Sequence, residues 1–220
     1  MSHHVSVERE KQLAAEAAAE IVEDGMSLGL GTGSTVGYLL PALAQRKLDL
    51  RCVATSPATE RAARELGIRV ESFTGSDALP RLDVAIDGAD QVAPSGWLMK
   101  GGGAAHTREK AVAAAADRFV VIVSSDKLVE RLAPPVPLEL LEFGLAGTLR
   151  RLEAVRLRDV PRSPDGGVIA DFVGDFDDPA VLAAHLEATV GVVEHGLFPA
   201  AMVSEVVVGR GDQVERITPP

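Results

Sequence analysis

One cysteine among 220 residues, Cys52, leaves no partner for an internal disulfide and no thiolate set for a cysteine-based zinc site. It reads as a small buried strand residue in a reducing compartment. Aromatic residues are scarce at 4%, and basic ones are outnumbered, 22 Lys and Arg against 32 Asp and Glu, for a net charge of −10. With no stretch rich in Lys or Arg, nucleic acid is excluded as a partner, and an anionic ligand needs a local basic pocket. No window approaches the 18 or so apolar residues of a membrane span, and Met1-Ser2-His3-His4 lacks the apolar core of an export signal. The expectation is a cytoplasmic protein with no membrane partner. What is plentiful is hydrophobic content, 46%, enough to fill the core of one large domain or of a medium domain and a small one.

Chemistry concentrates in DVAIDGADQVAPSGWLMKGGGAAHTREK, residues 83 to 110. The apolar run ending at Ile86 reads as a buried strand that delivers Asp87 and Asp90, with Gly88 allowing a sharp exit. Lys100 leads into Gly101, Gly102 and Gly103, whose uncovered amides are free to face an anion. Thr107 to Ala113 are strong helix formers, so this loop feeds a helix N-terminus that carries Glu109. Taken singly, an Asp-Gly pair is usually a turn and three glycines a flexible loop. Two acids, a lysine, a bare backbone and a third acid within one short stretch are more than a surface loop requires.

In chain order, residues 7 to 24 form an amphipathic helix closed by Gly25, and residues 26 to 30 a short strand. Gly31-Thr32-Gly33-Ser34-Thr35 then opens a second helix. Neither a dinucleotide fingerprint nor a lysine-bearing phosphate loop fits, because the next strand (51 to 56) ends without an acid and no lysine is present. What remains is a loop of amides with three hydroxyls, Thr32, Ser34 and Thr35, suited to a terminal phosphate; the alternative is an N-cap cluster without a ligand. Ser56-Pro57 starts a helix running to Leu66, and Ile68 to Glu71 is the following strand. After a helix to about Asp117, Phe119 to Val123 is a β-branched run typical of a parallel strand buried on both faces. Lys127 sits just beyond that strand's end, where ligand groups gather, or it is simply solvated.

The pattern is an α/β fold with a Rossmann-like, doubly wound, mostly parallel sheet. At Pro134-Pro135-Val136-Pro137 the character changes. Strands at 138 to 143, 155 to 160, 168 to 173 and 190 to 193, with helices at 144 to 154 and 178 to 188, follow the β-α-β-β-α-β order of a smaller ferredoxin-like α+β domain. Strands at 206 to 209 and 213 to 217 return to the first. The expected division is therefore 1–133 plus 203–220 for the substrate-binding and catalytic domain, and 134–202 for the second.

The segments GLGTGST (29 to 35), TSPAT (55 to 59), IDGAD (86 to 90), KGGG with REK (100 to 110) and GVVEHGLF (191 to 198) resemble those of ribose-5-phosphate isomerases of the A type. That resemblance implies an aldose-ketose isomerase interconverting D-ribose 5-phosphate and D-ribulose 5-phosphate through an enediolate, in the non-oxidative pentose phosphate pathway. It implies no cofactor and no metal, a small sugar phosphate as partner, and a homodimer or homotetramer. Carried over by position, Thr32, Gly33, Ser34 and Thr35 hold the phosphate, and Lys127 completes the substrate pocket. Asp87, Gly88, Ala89, Asp90, Lys100, Gly101, Gly102 and Gly103 surround the sugar, and Glu109 transfers the proton. Four positions depart from the family pattern: Ser124 and Asp126 stand where an acid and a serine are usual, His106 where leucine is usual, and Gln91 where glutamate is common. Asp126 is placed to pair with Lys127. Two other classes remain at this level, a non-catalytic sugar-phosphate sensor and a metal-dependent hydrolase built on Asp87 and Asp90; the sensor has no use for Glu109 or Lys100, and the hydrolase lacks nearby histidines.

Overall fold

A computed structural model describes residues 2–220; Met1, part of the stretch read above for an export signal, lies outside them. In chain order the elements are α1 (Ser2–Ala19), β1 (Ser27–Leu30), α2 (Ser34–Arg46), β2 (Arg51–Ala54), α3 (Pro57–Glu65), β3 (Leu82–Asp87), β4 (Gln91–Val92), β5 (Leu98–Met99), α4 (His106–Ala114) and β6 (Ala116–Ser124). A 3-10 turn, Ser125–Lys127, follows. Then come β7 (Val136–Leu140), α5 (Leu145–Leu152), β8 (Val155–Leu157), β9 (Val168–Phe172), α6 (Pro179–Ala188), β10 (Val192–His195), β11 (Leu197–Phe198), β12 (Glu205–Arg210) and β13 (Gln213–Ile217).

Six strands form the central sheet in the order β13-β12-β6-β3-β1-β2, parallel except for the terminal hairpin of β12 and β13. β2 lies on one side of β1 and β3 on the other, so the winding reverses there. A crevice opens outside the carboxyl ends of strands at such a reversal, and both the glycine loop after β1 and Asp87 at the end of β3 face it. The β-branched run of β6 is buried on both faces: Val120 and Ile122 pack with residues of α1 and α2, while Phe119, Val121 and Val123 pack with Val112 of α4.

A second, antiparallel sheet has the order β10-β7-β9-β8, with the first and third strands of the β-α-β-β-α-β unit at its centre. This is the ferredoxin-like arrangement expected from the pattern. A third sheet, β11-β5-β4, was not visible in the sequence, because strands of two residues leave no periodic signal. It matters to the site. The Asp90 amide donates to the Met99 carbonyl and the Lys100 amide to Gly196, which draws Asp90 and Lys100 together.

Several boundaries differ from expectation. α1 ends at Ala19 rather than near residue 24; turn-type bonds from Ile21 to Ala18 and from Val22 to Ala19 break the helix, and Gly25 closes the loop with a φ of 84°. Residues 68 to 71 make only a single bridge, Cys52 to Val70, at the sheet's edge, so no strand forms there. The helix expected to reach Asp117 stops at Ala114, and β6 already begins at Ala116. β7 starts at Val136, ahead of the expected 138, since Pro137 needs no amide where its carbonyl accepts from Gly196. β10 runs from 192 rather than 190. Gly88 has no positive φ, so the exit after Asp87 does not demand glycine.

Candidate active site

Asp87 organises the floor of the crevice. Its Oδ1 accepts the Thr32 amide at 3.0 Å and the Gly88 amide at 2.7 Å, tying the loop after β1 to the end of β3. A Cβ at Gly31 would lie 2.0 Å from that same oxygen, so only glycine lets the loop approach so closely. Gly33, with a φ of 122°, turns the chain into α2, which has no side-chain cap at its N-terminus. The first amides of α2 are thus left without a side-chain acceptor from its N-cap, in the arrangement that binds phosphate. One of the three expected hydroxyls is committed elsewhere: Thr32 Oγ1 lies 2.7 Å from Thr55 Oγ1 and 3.3 Å from Thr59 Oγ1. Ser34 and Thr35 keep theirs free for a ligand.

Lys100 is 2% exposed and sits between two carboxylates, 3.0 Å from Asp87 Oδ2 and 3.2 Å from Glu109 Oε2. It also donates to the Gly88 carbonyl. Burial disfavours its charge, but the two carboxylates outweigh burial and raise its pKa above the usual lysine value. Asp87 is raised by burial, against the pull of Lys100 and of the Thr32 and Gly88 amides. For Glu109, burial and then the Asp87 charge push the pKa up to about 8, with Lys100 opposing. Desolvation and the Asp87 charge thus outweigh the pull of Lys100. Neither Asp87 Oδ2 nor Glu109 Oε2 has an aligned hydrogen-bond donor, so both depend on the ammonium alone.

The Gly101 to Gly103 loop is less bare than its composition implies. The Gly102 amide is taken by Asp90 Oδ2 at 2.8 Å, and a Cβ there would meet the same carboxylate. Arg158, from the segment after β8, holds the loop's outer side: Nη1 donates to the Gly101 and Gly102 carbonyls at 2.9 and 3.1 Å while the guanidinium pairs with Asp171. Arg158 was not identified from sequence, since it lies far along the chain in a segment with no motif. Lys127 is 3.4 Å from Asp126, confirming the pairing that the unusual Asp126 allows.

Thr32 to Thr35, Gly88 to Asp90, Lys100 to Gly103, Glu109 and Lys127 line one cavity of about 150 Å³. Of the residues expected at the site, Asp87 alone does not reach it and lies beneath. A larger cavity of about 480 Å³ opens between α3, residues 70 to 75 and α4. Its charges are already paired, Arg64 with Glu60 at 2.7 Å and Arg108 with Asp165 at 2.7 Å. The chemistry therefore belongs to the smaller one. Cys52 is buried and its thiol is pushed up to about 12 by burial and then by Glu71, which removes it as a nucleophile. Among the described residues no group of three or more His, Cys, Asp and Glu side chains is placed to hold a metal.

The family model described as ribose 5-phosphate isomerase A (phosphoriboisomerase A) matches residues 51–213. The chain belongs to that family. A relative named ribose-5-phosphate isomerase A from Caulobacter sp. (strain K31) is 44% identical over 98% of this chain and 100% of its own length. Among solved structures, ribose 5 phosphate isomerase A from Neisseria gonorrhoeae superposes with a TM-score of 0.89 at 32% identity, covering 96% of each chain. A D-ribose-5-phosphate isomerase in complex with phospho-erythronic acid does so at 0.88 and 34%, covering 96% of this chain and 99% of the other. The segment matched by the isomerase A family model contains Asp87, Asp90, Lys100, Glu109 and Lys127, and the loop of Thr32 to Thr35 precedes it.

Proposed function

We propose that the chain interconverts D-ribose 5-phosphate and D-ribulose 5-phosphate by proton transfer through an enediolate. The observation that carries this reading is Lys100, buried between Asp87 and Glu109 and opening onto a cavity whose other end is a phosphate-type loop. The relative that holds phospho-erythronic acid binds a phosphorylated sugar acid, the class of ligand such a cavity suits.

In this reading the amides at the start of α2, the Ser34 and Thr35 hydroxyls and Lys127 grip the phosphate, and that binding energy orients the reacting carbons. Asp90, which lines the cavity, or Asp87, buried against Lys100, handles the hydroxyl proton as the sugar ring opens. Glu109 removes the proton from C2. The C–H electron pair becomes the C1–C2 double bond, and the carbonyl pair moves onto O1, facing Lys100. Glu109 returns its proton to C1 while the O2 hydroxyl loses its own and O1 gains one, leaving the ketone at C2. With its pKa pushed up to about 8, Glu109 is a stronger base than an ordinary carboxylate, and Lys100 facing O1 offsets the cost of the enediolate charge.

The test is direct: purified protein with ribose 5-phosphate should form ribulose 5-phosphate, and unphosphorylated ribose should react far less efficiently. Binding without turnover would instead favour a sensor on the same scaffold. We further propose that residues 1–133 with 203–220 and residues 134–202 are the two domains, as β7 to β10 form a sheet of their own and β12 rejoins the central sheet, with β11 pairing across to β5. A cytoplasmic homodimer or homotetramer fits the exposed apolar side chains of the smaller sheet unit, among them Phe143 at 88% and Val190 at 78%. Light scattering coupled to size exclusion measures that assembly.

A further inference from the structure

Lys127 lines the cavity from a three-residue turn, and what holds that turn is a carboxylate from the far end of the chain. Glu10 of α1 is 5% exposed. Its Oε2 accepts the Ser125 amide at 2.9 Å and the Ser125 hydroxyl at 2.7 Å, and its Oε1 accepts the Gly211 amide at 2.7 Å. Ser125 is the first residue of the turn that ends at Lys127, and Gly211 lies in the hairpin between β12 and β13. α1 comes so close to β12 here that a Cβ at Gly209 would fall 1.9 Å from the Glu10 carbonyl. Gly209 is also the register partner of Ser124, so one side chain fastens the ends of two neighbouring parallel strands.

We propose that Glu10 is a positioning residue for substrate: by fixing the Ser125 to Lys127 turn against the β12–β13 hairpin, it aims the Lys127 ammonium into the phosphate end of the cavity. Three donors converge on one carboxylate, which stays ionised because they outweigh the burial that works against its charge. The need for such an anchor follows from the neighbouring residues. Asp126 lies 3.4 Å from Lys127 with the anchor in place, and the Ser124 hydroxyl donates to Asp126, so the lysine and the carboxylate that balances it are carried on the same three-residue turn and move with it. The anchor keeps the turn in place before any ligand arrives, so that less ordering is left for binding to supply.

The proposal rests on Lys127 being a phosphate group's partner, and the experiment separates the two claims. Glu10→Gln keeps the shape but presents an amide N–H to one of the donors, and Ser125→Ala removes a single hydrogen bond. We expect Glu10→Gln to raise KM for ribose 5-phosphate, and the inhibition constant of inorganic phosphate, each by about three- to tenfold, with kcat nearly unchanged; Ser125→Ala should shift both in the same direction by less. In a Lys127→Ala background the Glu10→Gln effect should disappear, because there is nothing left to aim. If Lys127→Ala weakens phosphate inhibition but Glu10→Gln and Ser125→Ala do not, the positioning role is overturned while the pocket reading stands. If Lys127→Ala leaves phosphate inhibition intact, both fall together. Additive losses in the double variant, or a lowered melting temperature without any change in KM, would make Glu10 a structural clamp only.

Discussion

Lys100 and Lys127 are the two ammonium groups of one cavity, and they differ in almost everything else. Lys100 is 2% exposed and wedged between two buried carboxylates at 3.0 and 3.2 Å, while the Lys127 side chain is 36% exposed with one half-exposed carboxylate at 3.4 Å. In the buried cluster every charge depends on the others, so a change in one is felt in the protonation of all three. Around Lys127 solvent screens the charge, so in the proposed reading exchanging Asp126 for a substrate phosphate costs little. On the reading proposed above, the same residue type serves chemistry in one case and grip in the other, and what separates the two is burial and the number of partners.

The sharpest way to break this contrast is Lys100→Met. It leaves Asp87 and Glu109 buried without a counter-charge, which should lower kcat/KM by about 10³-fold and destabilise the fold by about 3–5 kcal/mol. Steady-state kinetics and urea unfolding measure the two losses; a stable, active variant would show that the triad is not interdependent. Next comes Glu109→Gln, expected to reduce kcat by about 10²- to 10⁴-fold with KM nearly unchanged. The acid limb of the pH profile sharpens the same point. Glu109 accepts a proton only when ionised, and its pKa is pushed up to about 8, so kcat/KM should fall as pH drops below that value rather than near an ordinary carboxylate's pKa. A limb near pH 4.5 would contradict the buried environment described for it. At the open end Lys127→Ala should raise KM about tenfold and leave kcat within about a factor of two. A loss confined to kcat there would erase the distinction between the two lysines.

Much of this was legible in the residues. The β-branched run of β6 and the alternation of strands with helices pointed to the parallel sheet, and Asp90, Lys100, the glycines and Glu109 of residues 83 to 110 do line one cavity, with Asp87 buried against Lys100. What the pattern could not carry was tertiary. Two-residue strands such as β4, β5 and β11 have no period, and the bond that commits Thr32 to Thr55 crosses between separate loops. Arg158 and Glu10 act on the site from segments without any motif, through carbonyls and amides that the sequence does not distinguish from others. The pKa of Glu109 hangs on burial and Asp87 against Lys100, a balance that only the folded arrangement of the three side chains decides.

The central claim is that hydrogen moves between C2 and C1 as a proton held by Glu109. Turnover of ribose 5-phosphate in D₂O tests it most directly, by magnetic resonance or mass spectrometry of the ribulose 5-phosphate formed. A carboxyl that takes up the C2 proton exchanges with solvent at a rate set by closure of the cavity, so deuterium should appear at C1, fully or in part, and the exchange should vanish along with activity in Glu109→Gln. Product free of deuterium at C1, with complete retention of label from C2-deuterated substrate, would mean a direct hydride shift and would contradict the role of Glu109.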